Sequence, residues 1–290
     1  MNVVILSRNE KLYSTRRLVD ESVKFGHSTT VVDYMHCHIV NQASQNSILH
    51  YGKPLKLVDA IIPRIGATYT DYGATLLRQF ELQNLKTLVS SEALLMARNK
   101  LHCLQKLMKV KVKIPATYFA HYFNNLNDII STVGGFPFII KQLEGTQGHG
   151  VFLIKDQKQA SEIIKIHESV NRKFIFQKFI KESKGCDIRA FVVGGVVVAA
   201  MKRQAKPEEF RSNLHQGGKG LNIKLTDLET NTAVKSAAAM GLSVAGVDML
   251  QSNHGPLVIE VNASPGLEGI EKTTQVNVAE KIIKYLEKII

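Results

Sequence analysis

Val247-Asp248-Met249-Leu250 and Leu257-Val258-Ile259-Glu260-Val261-Asn262, joined by Gln251-Ser252-Asn253-His254-Gly255-Pro256, decide how this chain is read. Both apolar runs are rich in Val, Ile and Leu and read as strands. The link is turn chemistry, so the pair is expected to be an antiparallel hairpin. Side chains alternate along a strand, which puts Glu260 and Asn262 on one face and Val261 on the other. A hairpin centred near His254 sets Asp248 across from Glu260. Two carboxylates and an amide oxygen then share a face that suits a hard cation such as Mg2+. An ordinary solvated hairpin face is the alternative. The metal reading is favoured because Asp248 and Glu260 interrupt apolar strands, where a carboxylate is costly unless paired or metal-bound.

Outward from this stretch, 290 residues are enough for two or three small domains with real cores. With 44% hydrophobic and 21% charged residues the composition is that of a soluble globular protein. No apolar run reaches the length of a membrane span, and the Met1–Leu6 stretch reads as a first strand rather than a signal peptide. Cys37, Cys103 and Cys186 are odd in number and form no CxxC, which points to reduced thiols and a cytoplasmic location. His36-Cys37-His38 has no second ligand cluster beside it. The net charge of +12 implies anionic partners: nucleotide phosphates, acidic substrates or a ribosomal surface. Arg98 to Lys113 carries six basic side chains and no acidic one, a pattern that also fits a solvated helix face over core residues. Aromatic RNA-binding signatures, helix-turn-helix patterns and zinc-finger spacings are not found, so no sequence-specific nucleic-acid binding is expected.

The first ninety residues alternate strand and helix: Val3–Leu6, a helix Ser14–Phe25 with Ser14 as N-cap, Thr29–Val32, Ala60–Pro63, a helix Asp71–Leu85, and Thr87–Val89. This predicts an open α/β unit on a mainly parallel sheet. No GxGxxG follows the first strand, so dinucleotide binding is unsupported. Arg8 and Arg64 sit just after strands, where such sheets gather ligands, and either contact an anionic substrate or are ordinary loop arginines. Glu92–Val110 reads as one helix. Phe136–Lys141 is a strand ending in lysine, followed by Glu144-Gly145-Thr146-Gln147-Gly148-His149-Gly150 and the strand Val151–Ile154. A glycine-rich hairpin turn can lay backbone N–H groups on phosphates, and Lys141 before it favours a nucleotide cover over a plain turn. A helix Gln159–His167 and a strand Phe174–Ile180 follow. Asp187-Ile188-Arg189 then opens a hairpin, Ala190–Val193 and Val196–Met201, with Arg203 beyond it. Phe210-Arg211-Ser212-Asn213-Leu214-His215-Gln216-Gly217-Gly218 is a polar loop suited to phosphate or carboxylate. Thr232–Met240 reads as a helix, and Ala279–Ile290 as an amphipathic tail helix.

Lys141, the glycine-rich loop, Gln177–Ile180, Asp187-x-Arg189 and Asp248…Glu260-x-Asn262, taken together, resemble an ATP-grasp enzyme. More closely, Pro63-Arg64-Ile65-Gly66, Phe210–His215 and the Glu260–Gly269 run resemble the RimK-type glutamate ligases, over essentially the whole chain. The resemblance implies an α/β fold, α+β in its catalytic part, of three domains: a parallel-sheet unit at 1–95, a central ATP-grasp subdomain at 96–184 and a C-terminal subdomain at 185–290. It implies ATP held by Lys141, by Gly145, Gly148 and Gly150 of the loop, by Lys178, Phe179 and Ile180 at the adenine, by Asp187, and by Arg211, Ser212 and Asn213 at the phosphate end. Asp248, Glu260 and Asn262 would hold two Mg2+ or Mn2+ ions. Arg189, Arg203 and Arg211 are the candidate donors to the tetrahedral oxyanion of acyl transfer. The implied partners are L-glutamate and the C-terminal tail of a small-subunit ribosomal protein, with a homo-oligomer, dimer or tetramer, as an analogy. Lys178 stands where the family commonly has Glu, and His149 is unexpected in the loop. Within the same fold, lysine, cysteine, D-alanine or free poly-glutamate ligation share these nucleotide motifs; a non-catalytic nucleotide-binding protein does not need the metal set.

Overall fold

The first apolar runs form parallel strands in the computed structural model, which describes residues 1–42, 45–55, 58–120, 125–143, 150–170, 173–206, 209–212 and 217–290. Strand β1 (Asn2–Leu6) leads to helix α1 (Tyr13–Lys24) and β2 (Ser28–Val32), and a small antiparallel sheet of β3 (Cys37–Gln42), β4 (Gln45–His50) and β5 (Lys53–Pro54) follows. That small sheet was not anticipated; β3 to β5 are short and lack a sustained apolar alternation. Then come β6 (Ala60–Pro63), α2 (Thr70–Leu82) and β7 (Lys86–Thr87). The four main strands lie in the order β2-β1-β6-β7, all parallel. The expected open parallel unit is therefore present, and the chain changes direction across the sheet between β1 and β6. Ser14 is not the N-cap of α1: Leu12 occupies that position without a side-chain bond. The Ser14 hydroxyl instead accepts the backbone N–H of Leu267 at 2.9 Å, tying the first helix to the far end of the chain.

The single helix expected over Glu92–Val110 is two, α3 (Ser91–Arg98) and α4 (Lys100–Lys109). Asn99 makes the break. Its extended backbone ends one helix, and its side-chain oxygen accepts the His102 N–H at 3.0 Å to cap the next. The break turns Arg98 and Lys100 toward one cavity, while Lys106, Lys109, Lys111 and Lys113 stay exposed.

Next follow β8 (Thr117–Tyr118), α5 (Leu126–Val133), β9 (Phe138–Gln142), β10 (Val151–Ile154), α6 (Gln157–Val170) and β11 (Phe174–Lys178). Their antiparallel sheet, ordered β10-β9-β11-β8, has a core of its own around Ile129, Val133, Phe138, Ile140 and Phe176.

The last sheet comprises β12 (Cys186–Val193), β13 (Val196–Gln204), β14 (Lys219–Asn222), β15 (Val244–Ser252) and β16 (Gly255–Asn262), in the order β14-β13-β12-β15-β16. Helix α7 (Asp227–Ala239) precedes β15, and α8 (Glu268–Thr274) and α9 (Val278–Ile289) close the chain. Ile188, Ala190, Val247, Met249 and Val261 pack with Ala233 and Ala237 of α7. Phe191, Val193 and Val244 pack on the opposite side with Ile282 and Ile283 of α9 and with Val3 and Ile5 of β1. The N-terminal sheet and this sheet thus share two cores, whereas the central sheet keeps a separate one. Among the described residues no helix is long and apolar enough to cross a membrane.

Candidate active site

The strands β15 and β16 pair antiparallel with Asp248 opposite Glu260 and Gly246 opposite Asn262, the juxtaposition expected from the sequence. The route to it differs. From the turn outward, Ser252 faces Gly255 and Met249 faces Val258, a register that would put Ile259 opposite Asp248. A β-bulge between Asp248 and Met249 inserts one residue, and that shift delivers Glu260 instead. Both Ile259 and Glu260 then line a cavity of about 910 Å³ bordered by the three larger sheets. Its size is that of a nucleotide or drug-sized ligand site.

One face of the last sheet carries a lattice of alternating charge. Asp187 and Arg189 are two apart on β12, with Arg203 opposite Asp187 on β13 and Asp248 opposite Arg189 on β15. Arg189 donates from Nε to Asp248 Oδ1 at 2.7 Å and from Nη2 to Oδ2 at 2.6 Å. Arg203 forms the same two-pronged pair with Asp187, both bonds at 2.6 Å, and its Nη2 also lies 3.1 Å from Asp248 Oδ2. Burial pushes the Asp248 carboxyl up, but Arg189 and Arg203 outweigh it and hold the group below the usual carboxylate range. Burial likewise opposes the Arg203 charge, and Asp248 and Asp187 more than restore it. Asp248 is therefore not a bare carboxylate waiting for a cation; its charge is already matched by two guanidinium groups.

Glu260 has no hydrogen bond or ion pair among the described residues. Asn262 spends its Nδ2 on the Gly246 carbonyl at 3.3 Å and on Asp248 Oδ2 at 3.4 Å, which leaves its Oδ1 uncommitted. Hard oxygen donors of this kind fit a divalent cation that takes its remaining ligands from water and substrate phosphate. No three His, Cys, Asp or Glu side chains gather as a ligand cluster among the described residues. A cation here would depend on Asp248, Glu260 and Asn262 together with oxygens that a ligand brings.

Lys141, at the end of β9, lies in the same cavity. Burial lowers its ammonium to about 8, Lys100 adding to the shift and Glu260 opposing it. Lys178, Phe179, Ile180, Asp187, Arg211 and Ser212 also line the cavity, with Ile139, Ile175, Leu250 and Ile259 supplying apolar walls of the kind a flat heterocycle needs. Two main-chain groups at the expected adenine edge are occupied: the Lys178 N–H donates to the Ala116 carbonyl, and the Ile180 carbonyl accepts from Ser183. Arg211 pairs with Glu209 at 2.9 Å, and that bond holds the Glu209 carboxyl down to about 2. Gly150 adopts a φ of +75°, and a Cβ there would lie 2.8 Å from the Gln142 side chain, so this corner of the hairpin needs glycine. Gly145, Gly148 and Asn213 lie outside the described residues, as does His149.

Sequence reading missed Arg98, Lys100 and Ser14 as cavity residues. Only the helix break at Asn99 reveals the first two, and an N-cap asparagine is the signal that marks it. Arg8 does not line the cavity; its guanidinium lies 4.6 Å over the Tyr69 ring, so of the two candidate anion contacts only Arg64 reaches it. The thiols of Cys37 and Cys103 are pushed by burial up to about 12, unsuited to nucleophilic work.

Known proteins resemble this chain along essentially its whole length. Residues 97–286 match the RimK-like ATP-grasp domain and residues 1–94 the RimK PreATP-grasp domain. The chain is 49% identical over 288 residues to a probable alpha-L-glutamate ligase of Trichodesmium erythraeum, covering 99% of this chain and 96% of that one. It is 52% identical over 289 residues to a probable alpha-L-glutamate ligase of Stutzerimonas stutzeri, with the same coverage. The crystal structure of a RimK domain ATP-grasp protein from Sphaerobacter thermophilus superposes with a TM-score of 0.74 at 19% identity, over 99% of this chain and all of that one.

Proposed function

We propose, from the premise that this chain belongs to the RimK-like ATP-grasp family and is an ATP-dependent ligase, that it adds L-glutamate to the C-terminal carboxylate of a small-subunit ribosomal protein in the cytoplasm. The observation behind this reading is the convergence of Asp248, Glu260, Asn262 and Lys141 on one cavity, in a chain about half identical along its length to proteins named glutamate ligases. The three units proposed for it are 1–95, 96–184 and 185–290, with ATP between the last two.

The chemistry follows from what the residues can hold. A free carboxylate is a poor acylating agent, so an acceptor carboxylate oxygen first attacks the γ-phosphorus of ATP and ADP leaves. The amine of glutamate then attacks the carbonyl carbon of this acyl-phosphate, and the C–O bond to phosphate breaks. Such transfers need positioning and charge neutralisation more than a protein nucleophile. Divalent cations, Mg2+ or Mn2+, bound by Asp248, Glu260 and Asn262 would supply charge neutralisation for the phosphates. Lys141 meets the phosphates, and the Gly145–Gly150 loop covers them. Lys178, Phe179 and Ile180 border the adenine, and Ser212 and Asn213 the phosphate end. Arg189 and Arg203 hold the Asp248 and Asp187 side chains in place; with Arg211 they are the candidate donors to the oxyanion that develops during amine attack.

The test is mass spectrometry of purified small-subunit ribosomal proteins incubated with the protein, ATP, Mg2+ and glutamate. A ladder of glutamate-sized additions at one C-terminus, with ADP released in proportion, is expected. Additions at a different kind of acceptor, or of a different amino acid, would overturn the substrate assignment.

A further inference from the structure

The cavity is bordered by more positive charge than nucleotide binding uses. Arg189, Arg203 and Arg211 each meet a carboxylate. Arg64 and Arg98 meet none among the described residues. Among the described residues Arg64 donates from Nη2 to the Pro265 carbonyl at 2.9 Å, and Arg98 from Nη2 to the Ile65 carbonyl at 2.7 Å. The Arg98 Nε is buried and has no partner among them. Burial lowers the Arg64 guanidinium to about 10, and the nearby charge of Arg98 adds to the effect. Two guanidinium groups held close together, bonded to neutral carbonyls, keep N–H donors unused, and the Glu260 charge near Arg98 offsets its burial only in part. Removing such charges from water is costly unless an anion joins them.

Their position says which anion. Arg64 follows β6, and its backbone N–H bonds the Leu6 carbonyl at the end of β1, where the parallel strand order reverses and open α/β sheets place ligands. Pro265, which Arg64 holds, lies three residues beyond Asn262, so the pair borders the reacting end of the cavity rather than its adenine end. Nucleotide contacts come from the other two sheets. We infer that Arg64 and Arg98 form a carboxylate clamp for the amino-acid substrate of the ligase. Planar guanidinium groups match a carboxylate in two-pronged fashion, and every amino acid brings one carboxylate while glutamate brings two. The clamp rests on the ligase reading above and adds the residues that select and orient the attacking amine.

Steady-state kinetics of Arg64→Gln, Arg98→Gln and the charge-keeping Arg64→Lys, alongside thermal melting, test it. The KM for glutamate should rise about 10- to 100-fold in each Gln variant, the range for losing a hydrogen bond to a charged group. The KM for ATP should stay within about twofold of wild type, and Arg64→Lys should fall between, since lysine keeps charge but loses the fork. Glutamine as an alternative substrate separates the two carboxylates. If the clamp holds the side-chain carboxylate, only wild type prefers glutamate; if it holds the α-carboxylate, the variants weaken both substrates alike. Either outcome supports the clamp. An unchanged KM for glutamate in both Gln variants, or a rise confined to ATP or to the acceptor, overturns it. Should wild type join a different amino acid, the glutamate assignment fails while the clamp is judged on the KM for that amino acid. If Arg64→Gln melts early, the KM values of Arg98→Gln and Arg64→Lys decide between these outcomes.

Discussion

Asp248 and Lys141 show how far the surroundings of a residue alter what its type suggests. From sequence, Asp248 and Glu260 look like two carboxylates repelling one another in an empty site, so that neutralising Asp248 should leave stability unchanged or raise it. The two-pronged bond from Arg189 and the contact from Arg203 reverse this. Asp248→Asn leaves Arg189 without its counter-charge and should cost about 3 kcal/mol in denaturant unfolding at neutral pH. Because the Asp248 carboxyl sits lower folded than unfolded, that stabilisation is present above an unfolded value of about 3.9 and is lost as pH falls through the folded one. The gap between wild type and variant should therefore close in acid; a gap that is absent at pH 7 would refute the pairing argument. Glu260→Gln, with no direct ion pair to lose among the described residues, should instead abolish turnover and cost less apo stability than Asp248→Asn, the loss being only its longer-range offset of the buried Lys141 and Arg98 charges. Lys141 titrates near 8 in the free protein. A triphosphate placed beside it, as proposed, would favour the ammonium, so ATP binding at pH 8 should take up about half a proton at this site. Calorimetry in two buffers of different ionisation enthalpy reads that uptake directly. Lys141→Ala should remove it and weaken ATP binding, and uptake unchanged in the variant would release Lys141 from the phosphates. Lys141 also costs stability while its folded value lies below the unfolded one, so stability from this group rises with pH between about 8 and 10.4.

At the scale of elements, strand alternation made the Glu260-x-Asn262 face readable, but the bulge that brings Glu260 opposite Asp248 has no sequence signature of its own. The hairpin centre assumed from the turn residues was off by half a residue, and the bulge compensated. Ala60–Pro63 was legible to the residue because burial demands apolar side chains on both of its faces; Val151–Ile154 was legible as an apolar run between turn residues, although only Ile154 is buried there. The β3–β5 sheet was not, since short polar strands in an exposed hairpin stack follow no burial period. Helix ends depended on caps. Asn99 splits what period alone reads as one helix, and α7 begins five residues before Thr232, at a capping box where Thr226 and Glu229 bond one another reciprocally. That box, joined to β15 through Glu229 and Gln251 at 2.9 Å, lies on the side of the last sheet away from Asp187 and Arg189. Thr226→Ala should cost about 1 kcal/mol, a melting shift of a few degrees, with KM for ATP unaltered. A loss of nucleotide affinity without a melting shift would show that α7 does more than brace the sheet.

The whole molecule carries twelve more basic than acidic side chains, and the cavity lining accounts for fewer than half of them, since Arg189, Arg203 and Arg211 are matched by neighbouring carboxylates. The rest lies outside, with Lys106, Lys109, Lys111 and Lys113 exposed along and beyond α4, in a run that contains no acidic residue. Such a surface does nothing for a small neutral acceptor. It would raise the encounter rate with an acidic one, and on the proposed reaction more so with each glutamate added, because the product of one cycle would be a more acidic substrate for the next. Exposed charges are screened beyond about 8 Å at physiological ionic strength, whereas the buried pairs of the cavity are not, so salt separates the two contributions. Raising the salt from about 50 to 300 mM should raise the KM for an acceptor with an acidic tail several-fold. It should leave the KM for a short neutral acceptor and for ATP nearly unchanged. Replacing Lys106, Lys109, Lys111 and Lys113 together by Gln should flatten the salt dependence for the acidic acceptor without changing kcat. Equal salt sensitivity for both acceptors would place the effect inside the cavity and leave the exposed lysines without a role in substrate capture.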